Sequence, residues 1–274
     1  MGGRVHSRLV QVICANQWVV GGGKVSMKSL NRLAQATLRS TGRCLYDYYH
    51  NLRQPKEVLR IVEFTPRFED YLSRQGHEAM LMVCPHVSNF DLIGYALAVR
   101  GIRFQVLSYP QPPASYRWQN RFRQLEGMDV TPMSLSAMQA AEERLRNQGM
   151  VLTGVDRPLP ESRYRPRFFG RPAALPAFHV RLALKFRLPI IVVGGLTMPD
   201  GHVQAWATDP IIMQSDADLY QEVVQNAEAV LAEIEPVIRQ NPEQWSMFYP
   251  VWPEALGEVS GHLEKRNYEK AKTR

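Results

Sequence analysis

The chain has 274 residues, 45% hydrophobic and 22% charged, an ordinary globular composition that excludes global disorder and allows a sizeable buried core. Lys and Arg number 33 against 26 Asp and Glu, and the formal charge of +7 favours anionic partners: nucleic acid, acidic lipid headgroups or phosphorylated substrates. Three cysteines, Cys14, Cys44 and Cys84, lie far apart without CxxC spacing, so a disulfide framework or zinc site is not expected and a reducing compartment is.

The first apolar stretch, Leu9 to Val20, contains Gln11, Asn16 and Gln17. It is too short and too polar to span a bilayer and has no signal-peptide cleavage pattern, which leaves an interfacial or a buried helix. Residues 9 to 76 read as mostly helical, broken at Gly21-Gly22-Gly23 and punctuated by Pro55 and Pro66. From Met80 the pattern changes to alternating strands and helices. Strands are expected at Met80–Cys84, Phe104–Leu107, Val151–Val155 and Ile190–Val193, with an antiparallel or edge strand at Val203–Ala207. Helices are expected at Asn89–Val99, Ser115–Leu125, Ser134–Asn147 and Phe178–Phe186. A long one follows over Leu219–Arg239, interrupted near its end by Pro236. Alternation of this kind predicts an α/β fold: a mixed, largely parallel central sheet flanked by helices, with a helical N-terminal part. The chain then divides into a helical segment over 1–76 packed on the core, an α/β domain over 77–256 and a basic tail over 257–274.

Functional residues in such sheets collect where the strands end. Cys84-Pro85-His86 follows one strand and Asp156-Arg157 another. The segment around the first reads Val-Cys-Pro-His-Val-Ser-Asn-Phe-Asp, from Val83 to Asp91. A histidine can serve as base toward a hydroxyl, and a carboxylate on its other ring nitrogen would fix its tautomer. With Ser88 as N-cap and Asp91 at the third helical position, Asp91 could reach back to His86. The same residues also make an ordinary capping-box start, with Asp91 favoured by the helix dipole and His86 a loop histidine. Both readings stand on these residues alone.

Several segments, taken in order, resemble the lysophospholipid acyltransferase superfamily, and within it the lipid A biosynthesis and phosphatidylinositol mannoside acyltransferases. They are His86-x4-Asp91, Arg123 to Gly127, Leu145 to Pro158, Phe168 to Ala173, Leu188 to Val193, and Asn241-Pro-Glu-Gln-Trp245 with Trp252. The resemblance runs from about residue 25 to 253. It implies a glycerolipid-acyltransferase-like fold and transfer of a fatty acyl group to a lipid or glycolipid hydroxyl. The donor would be an acyl thioester, acyl-CoA or acyl-carrier protein, with no metal and no cofactor. It also implies peripheral contact with the cytoplasmic face of the plasma membrane. In the roles so implied, His86 is the general base and Asp91 its carboxylate partner. Asn89, Arg123, Asp156, Arg157 and Gly170 contact substrate: Arg123 and Arg157 as candidate phosphate ligands, Asp156 as a positioner of the acceptor or a partner of Arg123, Gly170 through close backbone approach. Three other readings compete. One is a lysophosphatidic acid or glycerol-phosphate acyltransferase, another a catalytically silent peripheral membrane protein. The third, a nucleic-acid binder, is suggested by charge alone and has no supporting motif.

Overall fold

The computed structural model describes residues 7–125 and 128–261. In chain order the elements are α1 (Arg8–Val20), α2 (Met27–His50), α3 (Pro55–Ile61), β1 (Val62–Phe64), α4 (Pro66–Ser73), β2 (Met80–Cys84), α5 (Phe90–Val99), β3 (Phe104–Ser108), α6 (Ala114–Leu125), β4 (Asp129–Pro132), α7 (Leu135–Arg146) and β5 (Met150–Gly154). A small hairpin, β6 (Arg167–Phe168) and β7 (Arg171–Pro172), precedes α8 (Phe178–Phe186), β8 (Ile190–Thr197), β9 (Val203–Ala207) and α9 (Leu219–Gln240).

The main sheet has seven strands in the order β1-β9-β8-β2-β5-β3-β4. Every neighbouring pair runs parallel except β8 and β9. The expected mixed, largely parallel α/β sheet is therefore the one that forms. Its central strands are predominantly apolar because helices cover both faces. Along β2, Leu81 and Val83 point into one core with α1, α8 and α9, while Met80 and Met82 point into the other with α5. This is the two-residue alternation of a pleated strand, here with an apolar layer on each side.

The segment 1–76 does not stay outside the sheet. Its Val62–Phe64 pairs in parallel with β9, so β9 is antiparallel to β8, as expected, yet is not an edge. Helix α1 is buried along its whole second half, from Val12 to Val20, which decides between an interfacial and a buried helix. Its polar residues are spent inside the protein. Asn16 donates to the carbonyls of Met247 and Tyr249 and accepts from the Val251 N–H, and Gln17 donates to the Pro242 carbonyl. Among the described residues no helix is long and apolar enough to cross a membrane. Helix α9 continues past Pro236 to Gln240. Gly127 and the basic tail beyond residue 261 lie outside the described residues.

Candidate active site

Strands β2 and β5 are parallel neighbours, and Cys84 stands opposite Gly154 in their register. Two residues beyond those partners lie His86 and Asp156, so the pairing itself delivers both side chains to one level of the carboxyl edge. His86 Nδ1 is 2.6 Å from Asp156 Oδ1. The other carboxylate oxygen accepts from the His86 backbone N–H at 2.9 Å and from the Trp245 indole N–H at 2.8 Å. Asp156 is fully buried. Burial alone pushes its carboxyl up, but the adjacent imidazole and these N–H donors outweigh it and hold the group below the usual carboxylate range. An ionised carboxylate at Nδ1 makes that nitrogen the donor and leaves Nε2 with a free lone pair.

The carboxylate expected on His86 was Asp91, and the structure corrects this. Asp91 accepts from Arg123 Nε at 2.6 Å and from Gln119 Nε2 at 2.9 Å, both on α6. The cause lies in the helix start. Ser88 takes a positive φ of 57° and its hydroxyl bonds Thr197, so it does not cap. The N-cap is Asn89, whose side-chain oxygen accepts from the Leu92 N–H. Asp91 is thus one position earlier in the first turn than expected, and it faces α6. Asn89 also donates to the Cys44 carbonyl of α2, so its amide is committed to tying helices together as well as lining the cleft.

The remaining expected residues divide. Arg123 and Arg157 are both buried and line the cavities on either side of His86. Gly170 does not approach the site. With Phe169 it forms the two-residue loop of the β6–β7 hairpin, at φ 51° and 74°, and a Cβ there would meet nothing within 4 Å. Its role is the left-handed turn rather than close contact, because tight hairpins need positive φ at both loop positions. His179, not among the expected site residues, is buried in α8 and lines neither cavity beside His86.

Three contributors were not among the expected site residues. Gly154 lies under the imidazole: a Cβ there would come 2.9 Å from His86 Cε1, so the ring can rest on β5 only because this residue is glycine. Trp245 is buried, and its indole N–H holds the second oxygen of Asp156. The segment around it straps down the histidine loop. The Ser88 N–H donates to the Gln244 carbonyl, and the Ser246 N–H donates to the His86 carbonyl. The order Asn-Pro-Glu-Gln-Trp carried a signal here, but only as a motif, since nothing local in it points to His86 and Ser88, far upstream in the chain. Tyr109, the first residue past β3, reaches the same edge and packs on Arg157.

His86 sits between two cavities. The first runs past Phe90 and Gly94 to Phe104, Met128, Val130 and Leu152 and is predominantly apolar. The second lies between α2 and α6 and the Ser246–Tyr249 loop, and brings Ser88, Asn89, Asp91, Gln119, Arg123 and Arg157 to its wall. Cys84 is beside the base, but burial pushes its thiol up to about 12. It stays protonated at neutral pH and is a poor nucleophile. Among the described residues no cluster of His, Cys, Asp and Glu could hold a metal ion.

A parallel α/β sheet that presents a histidine–aspartate pair at its carboxyl edge, where two cavities meet, has the arrangement of an enzyme that works by general-base catalysis. The model of the bacterial lipid A biosynthesis acyltransferase family matches residues 23–254, and the chain belongs to that family. Phosphatidylinositol mannoside acyltransferases from two strains of Mycobacterium tuberculosis are each 25% identical to it over 187 residues. The aligned part is 65% of this chain and 56% of the relative, so the chain matches little more than half the length of these relatives.

Proposed function

We propose that this protein transfers a fatty acyl group from a thioester, acyl-CoA or acyl-carrier protein, to a hydroxyl of a lipid or glycolipid at a membrane surface. The observation that carries this reading is the 2.6 Å contact between His86 and a buried carboxylate where two largely apolar cavities meet, the second also reached by the polar groups of Asn89, Gln119, Arg123 and Arg157. His86 Nε2 removes the proton of the acceptor hydroxyl as its oxygen attacks the thioester carbonyl. Asp156 balances the imidazolium that forms. When the tetrahedral intermediate collapses, the C–S bond breaks, and the proton passes from His86 to the departing thiolate, giving an ester and a free thiol. No acyl-enzyme is required, which agrees with the protonated Cys84.

The first cavity suits the acyl chain, and the second, whose largely apolar wall carries the polar groups of Asn89, Gln119, Arg123 and Arg157, suits the acceptor. Gly94 gives the channel its depth, since a Cβ there would meet the Met128 sulfur at 2.7 Å. The rim of the cleft supports peripheral membrane contact. Tyr46 on α2 and Trp118 on α6 are 63% and 58% exposed, and Tyr49 of α2 meets Trp118 and Phe122 of α6 in tilted and edge-on ring contacts. Exposed Arg39, Arg43, Arg117 and Arg121 lie on the same helices. Aromatic rings with flanking cations suit the headgroup layer of an anionic bilayer. The cytoplasmic face fits three free cysteines. Replacing Tyr46 and Trp118 together by Ser should weaken sedimentation with vesicles containing anionic lipid by tenfold or more; undiminished binding would remove this face from the reading.

The assay of the activity combines the protein, labelled acyl-CoA or acyl-carrier protein of several chain lengths, and extracted membrane lipids. Transfer is expected, and His86→Ala should reduce it by a factor of about 1,000 or more. Gly94→Leu should shift the preferred donor to shorter chains. Transfer that survives in His86→Ala would overturn the mechanism. No transfer from any donor, with vesicle binding intact, would favour a catalytically silent membrane protein.

A further inference from the structure

Trp245 is 1% exposed and lines neither cavity at His86, so a substrate held in them does not touch it. Its indole N–H donates to Asp156 Oδ2 at 2.8 Å. Three N–H groups meet that buried carboxylate, and His86 supplies two of them, one from its ring and one from its backbone. Those two move with the histidine. Trp245 is the donor that fixes the carboxylate independently of the group it must orient.

Remote parts of the chain hold the tryptophan in turn. Gln244 brackets the end of β8: its Oε1 accepts from the Thr197 N–H, and its Nε2 donates to the Thr197 carbonyl. Helix α1 ties both flanks, Gln17 to the Pro242 carbonyl and Asn16 to the carbonyls of Met247 and Tyr249. The indole packs against Phe168, Phe169 and Trp252. A donor set in close packing cannot swing after a displaced acceptor.

The charges nearby leave the carboxylate to its N–H donors. Among the described residues no arginine or lysine pairs with Asp156, and His86 is its titratable partner. The Cys84 thiol on β2 feels the Asp156 charge but stays protonated. Arg123 of α6 is given to Asp91 of α5, and Arg157, next in the chain, packs on tyrosine rings. On the far side of the indole, Arg239 lies over the Phe169 ring and pairs with Glu235. Hydrogen bonds to the ionised form are then what favours it.

We propose that Trp245 is a positioning residue for the base: its indole N–H keeps the Asp156 carboxylate aimed at His86 and draws negative charge toward Oδ2, away from the oxygen that faces the ring. This rests on His86 acting as a base and gives a role in the reaction to a residue outside both cavities. Without the N–H, charge gathers on the oxygen facing His86. The pair then takes up a proton more readily, so the neutral imidazole is lost at a higher pH, and the carboxylate is freer to turn.

The test uses the full chain with Trp245→Phe, which removes the N–H and keeps an aromatic ring. Trp252→Phe makes the same change in the same cluster, 6.4 Å away between ring centroids, without touching Asp156. In acyl transfer, Trp245→Phe should lower kcat by about tenfold or more with KM changed by less than about twofold. The acid limb of its kcat profile should move up by about half a pH unit or more. Trp252→Phe should keep kcat within about threefold and leave the limb in place. A second measurement needs no substrate. Carbethoxylation of His86 by diethyl pyrocarbonate, followed across the pH range by peptide mass spectrometry, should show the same upward shift in Trp245→Phe and none in Trp252→Phe. If Trp245→Phe does not fold, benzothienylalanine at position 245, which keeps the tryptophan shape with sulfur in place of the N–H, carries the comparison. Equal midpoints in the parent and the Trp245 variant overturn the proposal. So do equal shifts in the Trp245 and Trp252 variants, which would make the tryptophan a packing residue alone. Absence of acyl transfer, with the carbethoxylation shift confined to the Trp245 variant, would leave the positioning role standing and remove the acyltransferase reading.

Discussion

Asp156→Asn is expected to lower the rate of acyl transfer by about 1,000- to 10,000-fold while leaving the fold in place. The hydrogen bonds around the carboxylate dictate how the amide must sit. One oxygen of Asp156 takes two N–H groups, from the His86 backbone and the Trp245 indole, which cannot reverse their roles. The amide oxygen of asparagine must occupy that place. Its NH2 then faces His86 Nδ1 and forces that nitrogen to accept. The ring proton moves to Nε2, where the lone pair for the acceptor hydroxyl is needed, and no negative charge remains to balance an imidazolium. Asp91→Ala should behave differently. It strands the Arg123 guanidinium in a buried position and should cost about 3–5 kcal/mol of stability, seen as a fall in denaturation midpoint. The double variant Asp91→Ala with Arg123→Met should recover most of that loss, because removing both partners of a buried pair leaves no orphan charge. Kinetics on Asp156→Asn and denaturation of the Asp91 variants distinguish the two roles. If Asp156→Asn kept more than a tenth of the parent rate, Asp156 would not be the partner of the base.

The difference between these two aspartates also marks what could be read from the sequence. Met80–Cys84 was legible as a short, continuous apolar run and Val203–Ala207 from its alternation, and both fall where the pattern puts them. Two strands were not. Val62–Phe64 has three residues, too few for a periodic signal, and its partner is 141 positions away. Asp129–Pro132 is a polar edge strand with a terminal proline, which reads as loop. At the site, His86, Arg123, Arg157 and Asp156 all carried local signals, since each belongs to a strand end or a recognisable block. What was missing was the strand register. Five residues of spacing suggested Asp91, whereas the partner comes through β2–β5 pairing from 70 positions downstream. The cap went astray for a related reason. Ser88 and Asn89 are both good N-caps, and the choice was made by Thr197 on another strand, which takes the serine hydroxyl.

The second large effect concerns stability rather than catalysis, and it comes from His179. This side chain is 1% exposed, and neither ring nitrogen has a hydrogen-bond partner. Burial pushes its pKa down from 6.5 to about 3. The unfolded chain therefore takes up a proton as pH falls below 6.5, and the native protein does not until about pH 3. Across that window the unfolded state binds more protons. The neutral-ring contribution to stability is thus fully present above pH 6.5 and is lost as pH falls toward 3. The slope approaches about 1.4 kcal/mol per pH unit, and the whole window amounts to on the order of 4–5 kcal/mol. His179→Leu has a similar volume, no proton to gain and no orphaned nitrogens. At pH 7.5 it should be more stable than the parent by about 1–3 kcal/mol, the cost of unpaired buried polar atoms. At pH 5 the advantage should widen by about 2 kcal/mol, because every other titrating group is common to both proteins. Urea denaturation of parent and variant at the two pH values measures this directly. An advantage that does not change between pH 7.5 and pH 5 would show that His179 titrates alike in the folded and unfolded chain, and that its two nitrogens find partners or water in solution.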